Sequence, residues 1–272
     1  MSHLALLRHR LSAVLIAAFV AFGLAAAGVV ATVPAASSSP SPAGSAPTPE
    51  VVAQVLTDTA AESLAQARLA RTLLVFGDSI SARFNDRVGD PSQGFWSMLA
   101  DKLDARPNVR AEGGSGFVNP GLVGCTGNTF GDHLAQPALT EVVAGAGAVI
   151  IEGGRTDTQT CRRDGGYDLV PKGRVRRAVE SFMSEVERLR GAGDACTIVV
   201  VPWGPKGLAD NRDRITRVVR NAALRHGFTF VDTLGLLTET NTLEDRVHPN
   251  RDGNRALTRA ILRQSGAEGC FA

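Results

Sequence analysis

Thr72-Leu73-Leu74-Val75-Phe76-Gly77-Asp78-Ser79 is an almost unbroken apolar run that halts at a glycine, a carboxylate and a hydroxyl. It lacks the alternation of a half-buried strand and is too short for a helix, so it reads as a strand buried on both faces. Runs of the same character recur at 109–112, 148–152, 197–202 and 229–231. Helical patterns fill the intervals near 95–104, 133–144, 173–190 and 210–226, the last with Asp210 as its cap and Gly227 just beyond it. A closing helix follows over 250–264, and 51–70 is an alanine-rich amphipathic helix outside the core. Strands and helices alternating through short links predict an α/β fold, a three-layer sandwich around a central, mostly parallel five-stranded sheet.

Such sheets bind ligands beyond the carboxyl ends of their strands. Gly77-Asp78-Ser79 follows the first strand, Glu112-Gly113-Gly114-Ser115-Gly116 the second, Gly153-Gly154-Arg155-Thr156-Asp157 the third and Trp203-Gly204-Pro205 the fourth. Near the C-terminus stands Asp245-Arg246-Val247-His248-Pro249-Asn250. A serine hydroxyl becomes a nucleophile when a base takes its proton, and a histidine oriented by a carboxylate is the usual base. Ser79, His248 and Asp245 supply those groups. Pro249 at a first helical turn accounts for His248 locally but leaves Asp245 unexplained.

The competing candidates are weaker. His133 and His226 have no carboxylate three residues before them and read as structural. Ser115 does not sit in Gly-x-Ser-x-Gly. Glu152 and Asp157 offer a carboxylate pair, but strand alternation turns them to different environments. Trp203 is read as a pocket wall rather than a core residue.

The Gly-Asp-Ser and Asp-x-x-His-Pro-Asn strings together, with Gly253 and an apolar helix after them, resemble the SGNH hydrolases, also called the GDSL esterase/lipase family. The resemblance spans about residues 72–262 and implies an SGNH or flavodoxin-like sandwich. It implies Ser79 as nucleophile, His248 as base and Asp245 as its orienter, with no metal or organic cofactor. It also implies three oxyanion donors: the Ser79 N–H, the Gly116 N–H with Gly114 as the alternative, and the asparagine of Gly-x-Asn-Asp. Here Gly154-Arg155-Thr156-Asp157 sets Thr156 where that asparagine is expected. A threonine hydroxyl donates with a shorter reach, and Arg155 is the other substitute. The block Ile80-Ser81-Ala82-Arg83 also lacks a glycine frequent in the family.

A chain of 272 residues, 44% of them hydrophobic, suits one main domain. The formal charge is +2, but Arg8 and Arg10 precede the first acidic residue, Glu50. Beyond that leader the balance is near zero, which gives no support for nucleic-acid binding; the arginines at 174, 176, 177, 212, 214, 217, 220 and 225 read as solvated helix faces. Residues 11–33 carry no charge. A basic start and a long apolar run describe a secretory signal, cleaved near Val33-Pro34-Ala35, or an uncleaved anchor spanning a bilayer. The resulting division is 1–36 signal peptide or signal anchor, 37–50 Ser/Pro/Ala-rich linker, 51–71 N-terminal helix and 72–272 hydrolase domain.

The four cysteines suit export and include no Cys-x-x-Cys pair, so no zinc site is expected. Of three connectivities, sheet geometry favours Cys125–Cys161 and Cys196–Cys270, because the first pair follows strands at the carboxyl edge while the second meets at the opposite edge. The resemblance implies a serine esterase; the N-terminal segment makes it secreted or membrane-anchored, the lack of a long apolar lid points to short carboxylic esters, and a monomer is expected. Its partner is a small ester or an acylated envelope glycan or lipid. The alternatives are an envelope glycan O-acyltransferase or deacetylase, and an inert glycan-binding protein of the same fold.

Overall fold

The computed structural model describes residues 49–82, 90–121, 125–162, 164, 166–206 and 209–271. The expectations for the signal or anchor and for most of the linker lie outside the described residues. No helix among the described residues is long and apolar enough to cross a membrane. The first helix, α1 (Pro49–Ala70), exposes its side chains from residue 57 to residue 68.

The sheet comprises β1 (Thr72–Gly77), β2 (Arg106–Ala111), β3 (Ala148–Glu152), β6 (Thr197–Val200) and β7 (Thr229–Val231), with β4 (Gln159–Cys161) and β5 (Tyr167–Leu169) forming a separate antiparallel hairpin. Its order is β2-β1-β3-β6-β7 and every pairing is parallel. All residues of β1, β3 and β6 are buried, as continuous apolar runs require when both faces are covered.

The two faces sort by strand alternation. Leu74, Phe76, Val149, Ile151 and Val199 pack against α4 (Phe130–Leu134), α5 (Pro137–Gly145), α6 (Lys172–Arg190) and α7 (Ala209–Arg225). Leu73, Val75, Ile150, Ile198 and Val200 pack against α3 (Phe95–Leu103) and α8 (Arg251–Ser265). The result is the three-layer α/β sandwich read from the sequence.

Three local readings need correction. β2 begins at Arg106 rather than 109, because it pairs along the whole of β1, from Thr72 opposite Arg106 to Gly77 opposite Ala111. As an edge strand it tolerates polar residues that hid its start. The helix expected over 133–144 is two. Thr129 caps α4 in a reciprocal box with Asp132, and Pro137 opens α5. The first strand ends at Gly77, and Ser79 instead begins the short helix α2 (Ser79–Ala82).

Two disulfides join Cys125 to Cys161 and Cys196 to Cys270. The first ties the loop beyond β2 to the β4–β5 hairpin. The second ties the start of β6 to the C-terminal turn.

Phe182 of α6 lies edge-on to Phe76 of β1 at 5.3 Å and to Phe117 at 5.6 Å, and tilted on Phe130 at 5.9 Å. It therefore couples the sheet to the loop beyond β2. Phe182→Ala should remove about 3–5 kcal/mol of unfolding free energy in urea titrations; a loss below about 1 kcal/mol would mean that the other rings close the gap.

Candidate active site

Gly77-Asp78-Ser79 turns the chain from β1 into α2. A Cβ on Gly77 would sit 2.3 Å from Ser81 Oγ and 2.8 Å from Glu152 Oε2, so only glycine fits. Asp78 Oδ1 accepts the Ile80 N–H at 2.8 Å, while its carbonyl accepts those of Ser81 and Ala82 at 3.2 and 2.9 Å. These bonds hold Ser79 at the mouth of the crevice, 9% exposed.

The string 245–250 builds its own turn. Asp245 Oδ1 accepts the N–H groups of Val247 and His248, each at 2.9 Å, and Oδ2 meets His248 Nδ1 at 2.5 Å. Arg246 lies between them at φ +58°. Asn250 caps α8 by accepting from Asp252 and Gly253 at 3.0 and 3.1 Å. Gly253 is needed because a Cβ there would lie 2.2 Å from the Asn241 carbonyl. Gly204 does the same for the neighbouring loop, where a Cβ would lie 2.4 Å from the Arg246 carbonyl.

His248 Nε2 stands 2.7 Å from Ser79 Oγ. Burial alone would raise the Asp245 carboxyl, but hydrogen bonds from the His248 ring and from two backbone N–H groups bring it down to about 2. An ionised Asp245 only accepts, so Nδ1 carries the proton. In the neutral ring Nε2 is then the acceptor for the Ser79 hydroxyl.

The structure redistributes the expected oxyanion donors. The Gly116 N–H is bonded to the Asn119 carbonyl at 2.9 Å, and the Thr156 hydroxyl to the Ser115 carbonyl at 2.7 Å. Both donors are engaged elsewhere, although Thr156 lies on the wall of the Ser79 pocket, which corrects the donor roles expected of both. Gly116 is a glycine for packing, since a Cβ would fall 2.6 Å from Asp157 Oδ1. The N–H groups of Ser79 and Gly114 bond to no other described residue, and Gly114 sits at φ +79°. Arg155 Nη2 lies 3.3 Å from Ser79 Oγ and 3.5 Å from Asp78 Oδ2.

Ser79, Gly114, Arg155, Thr156, Asp245 and His248 share the wall of one pocket of about 330 Å3, together with Asn119, Thr158, Gln159, Lys206 and Val247. Trp203 is not on that wall. It is 5% exposed in the core, its indole N–H bonded to Thr216 of α7 at 3.0 Å, which corrects the reading of it as a pocket residue. Lys206 was not singled out by the sequence; its only signal was its place just after Trp203-Gly204-Pro205. Ser115 donates to the Asn128 carbonyl at 2.6 Å and is buried. His133 faces Glu112, and His226 lies between Glu180 and Glu187.

Two carboxyls behind the serine are fully buried. Glu152 Oε2 accepts from Ser81 Oγ at 2.8 Å and the Asp78 N–H at 3.2 Å, while Oε1 has no partner among the described residues. Burial, and then the neighbouring Asp78 carboxylate, push Glu152 well above the usual range. Asp157 Oδ2 accepts the N–H of Phe117 at 2.9 Å, and Oδ1 those of Val118 and Asn119 at 2.7 and 3.1 Å, stapling the loop beyond β2 to the one beyond β3. Burial raises it from 3.8 to about 6 against those hydrogen bonds.

A family model for the GDSL-like lipase/acylhydrolase family matches residues 75–256. No curated protein sequence matches the chain. Among solved structures, the lipase/acylhydrolase from Enterococcus faecalis is similar at 18% identity and TM-score 0.50, covering 73% of this chain and 96% of that one. A family two carbohydrate esterase from Clostridium thermocellum, in complex with cellohexaose, is similar at 21% identity and TM-score 0.54, covering 72% and 65%. A carbohydrate acetylesterase family member from Sinorhizobium meliloti is similar at 15% identity and TM-score 0.50, covering 70% and 95%. These likenesses bear on the fold.

The raised Asp157 has a signed consequence. The folded state holds this proton more tightly than the unfolded chain, so its contribution to stability is full below 3.8 and is lost as pH rises through about 6. Asn cannot titrate, so the stability deficit of Asp157→Asn relative to the parent should shrink by roughly 2–3 kcal/mol between pH 4 and pH 7. Parallel stability curves for the two proteins across that window would show that Asp157 is not the titrating group.

Proposed function

The chain belongs to the GDSL-like lipase/acylhydrolase family, and on that footing we propose that it is an exported serine esterase cleaving short-chain carboxylic esters. The observation that carries this reading is the chain of hydrogen bonds Ser79 Oγ–His248 Nε2 at 2.7 Å and His248 Nδ1–Asp245 Oδ2 at 2.5 Å.

His248 takes the Ser79 proton as Oγ attacks the ester carbonyl, and Asp245 stabilises the imidazolium that forms. The N–H groups of Ser79 and Gly114 and the Arg155 guanidinium serve the oxyanion of the tetrahedral intermediate, each donor worth about 2.7–4 kcal/mol in such sites. His248 then passes the proton to the leaving alcohol, and water repeats the sequence on the acyl-enzyme. The cationic Arg155 meets the negative charge as it develops, which suits it to stand in for a neutral amide.

The pocket's volume of about 330 Å3 favours a short acyl group such as acetyl. The carbohydrate esterases among the similar structures support a saccharide as the alcohol. Residues 1–36 are assigned to export, as cleaved signal or retained anchor, and residues 72–272 to the hydrolase domain. Two disulfides suit an oxidising, extracytoplasmic compartment.

Hydrolysis of p-nitrophenyl acetate tests the assignment. Ser79→Ala should lower kcat by about 10^4-fold or more and abolish labelling by a fluorophosphonate. Arg155→Met should lower kcat about 10^2-fold with little change in KM, as expected of a transition-state donor. Unaltered turnover in Ser79→Ala would remove the serine mechanism. A change in KM alone for Arg155→Met would reduce Arg155 to substrate binding.

A further inference from the structure

A second groove, of about 440 Å3 and so larger than the pocket at Ser79, lies between α6 and α7. Its wall carries Lys172 and Arg176 from α6, and Arg214, Arg217 and Arg225 from α7, against one carboxylate, Asp213. Arg225 is ion-paired with Glu180, and Asp213 is paired with Arg212. Lys172, Arg176 and Arg217 have no ion-pair or hydrogen-bond partner among the described residues.

A solvated helix face normally interleaves both signs along i, i+4 rows. Here two packed helices turn cations towards each other across one cavity, an arrangement that repels itself until an anion enters. The chain is otherwise near neutrality at +2, so the concentration of charge is local. Four of the five cations are arginines, whose planar forks match the oxygens of carboxylates and phosphates. The volume falls within the range of small-ligand sites.

One end of the groove, at Lys172 and Arg176 in the first turns of α6, lies on the edge that carries the candidate active site, and the groove runs from there along α7 to its last residue, Arg225. In parallel crossovers the helices run back against the strands, so the first turns of α6 and α7 lie at the carboxyl ends. The Thr158 carbonyl, on a residue of the Ser79 pocket wall, accepts the Val170 N–H at 3.2 Å, two residues before Lys172. Lys206, also on that wall, lies three residues before α7.

We infer that the α6–α7 groove binds anionic groups of the same molecule whose ester is presented to Ser79, which makes the substrate an O-acylated polyanionic glycan bearing carboxylates or phosphates. The inference rests on the esterase reading for its substrate role, while anion binding in the groove is measurable without any turnover.

The full chain is assayed on O-acetylated polygalacturonate, on O-acetylated xylan as the neutral comparison, and on p-nitrophenyl acetate. The double variant Arg176→Gln, Arg217→Gln should raise KM for the anionic polymer about tenfold, in keeping with loss of two charge-assisted contacts. Turnover of p-nitrophenyl acetate and KM on the xylan should stay within about twofold, because neither uses the groove. Added salt should raise KM on the anionic polymer alone. An unchanged KM in the double variant overturns the inference, as does a parent protein that handles both polymers alike.

Calorimetry with unacylated polygalacturonate and with poly(glycerol phosphate) reads the groove directly, and the tighter ligand identifies the anion. Binding that disappears in the double variant supports the groove even where every ester assay is silent, in which case the esterase reading alone has failed. Binding to neither polymer, or equal binding of a short DNA duplex, overturns it.

Discussion

β1 is hydrogen-bonded along both edges and covered on both faces, and the site depends on that double confinement. Its neighbours β2 and β3 lie on opposite sides, so the loops leaving β1 and β3 diverge and open a crevice at the point where the strand order reverses. Ser79 emerges there. The register is unforgiving, because a slip of one residue would turn Leu73 and Val75 into the layer now filled by Leu74 and Phe76. It would also pull Gly77 away from Glu152, whose carboxyl reaches beneath the first turn of α2 to Ser81 and Asp78.

The crevice gathers carboxyls that a stability-driven design would avoid. Asp78, Glu152 and Asp157 are each fully buried, with one guanidinium, Arg155, among them. Each is accommodated differently. Asp78 takes a backbone N–H and lies beside Arg155; Asp157 collects three N–H groups; Glu152 accepts from Ser81 and the Asp78 N–H, and burial pushes it well above the usual carboxylate range. The polar mouth is held open by two large apolar layers, one led by Phe76 and Phe182 and the other by Ile150 and Leu257. Burial there offsets a locally unfavourable site.

The strands were legible because each central one is a short unbroken apolar run, and the 245–250 turn because its bonds are local. Thr129, Asp132 and Pro137 were also in view, and reading them as a capping box and a helix start would have divided the helix correctly. The oxyanion donors were not legible in the same way. Whether the Gly116 N–H is free depends on a carbonyl that folds back three residues later, and whether Thr156 is free depends on a carbonyl from another loop. Trp203 misled because a tryptophan beyond a strand end looks like a pocket wall until a partner for its N–H is found, here on α7. The β4–β5 hairpin is three residues a side and carries little pattern of its own.

The turn that carries His248 is nearly self-sufficient. Asp245 orients the ring and fixes its own backbone with the same carboxylate, the Leu243 N–H donates to the His248 carbonyl at 2.8 Å, and Asn250 moors the end to α8. The rest of the protein has only to deliver this cartridge to Ser79, through tight packing at Gly204 and Gly253. A site assembled from a portable unit and one strand end places few demands on the residues between them. The contact between Ser79 and His248 is then set by two short stretches of chain 169 residues apart in sequence, and the loops between them bear on it chiefly through the glycines that let the turn dock.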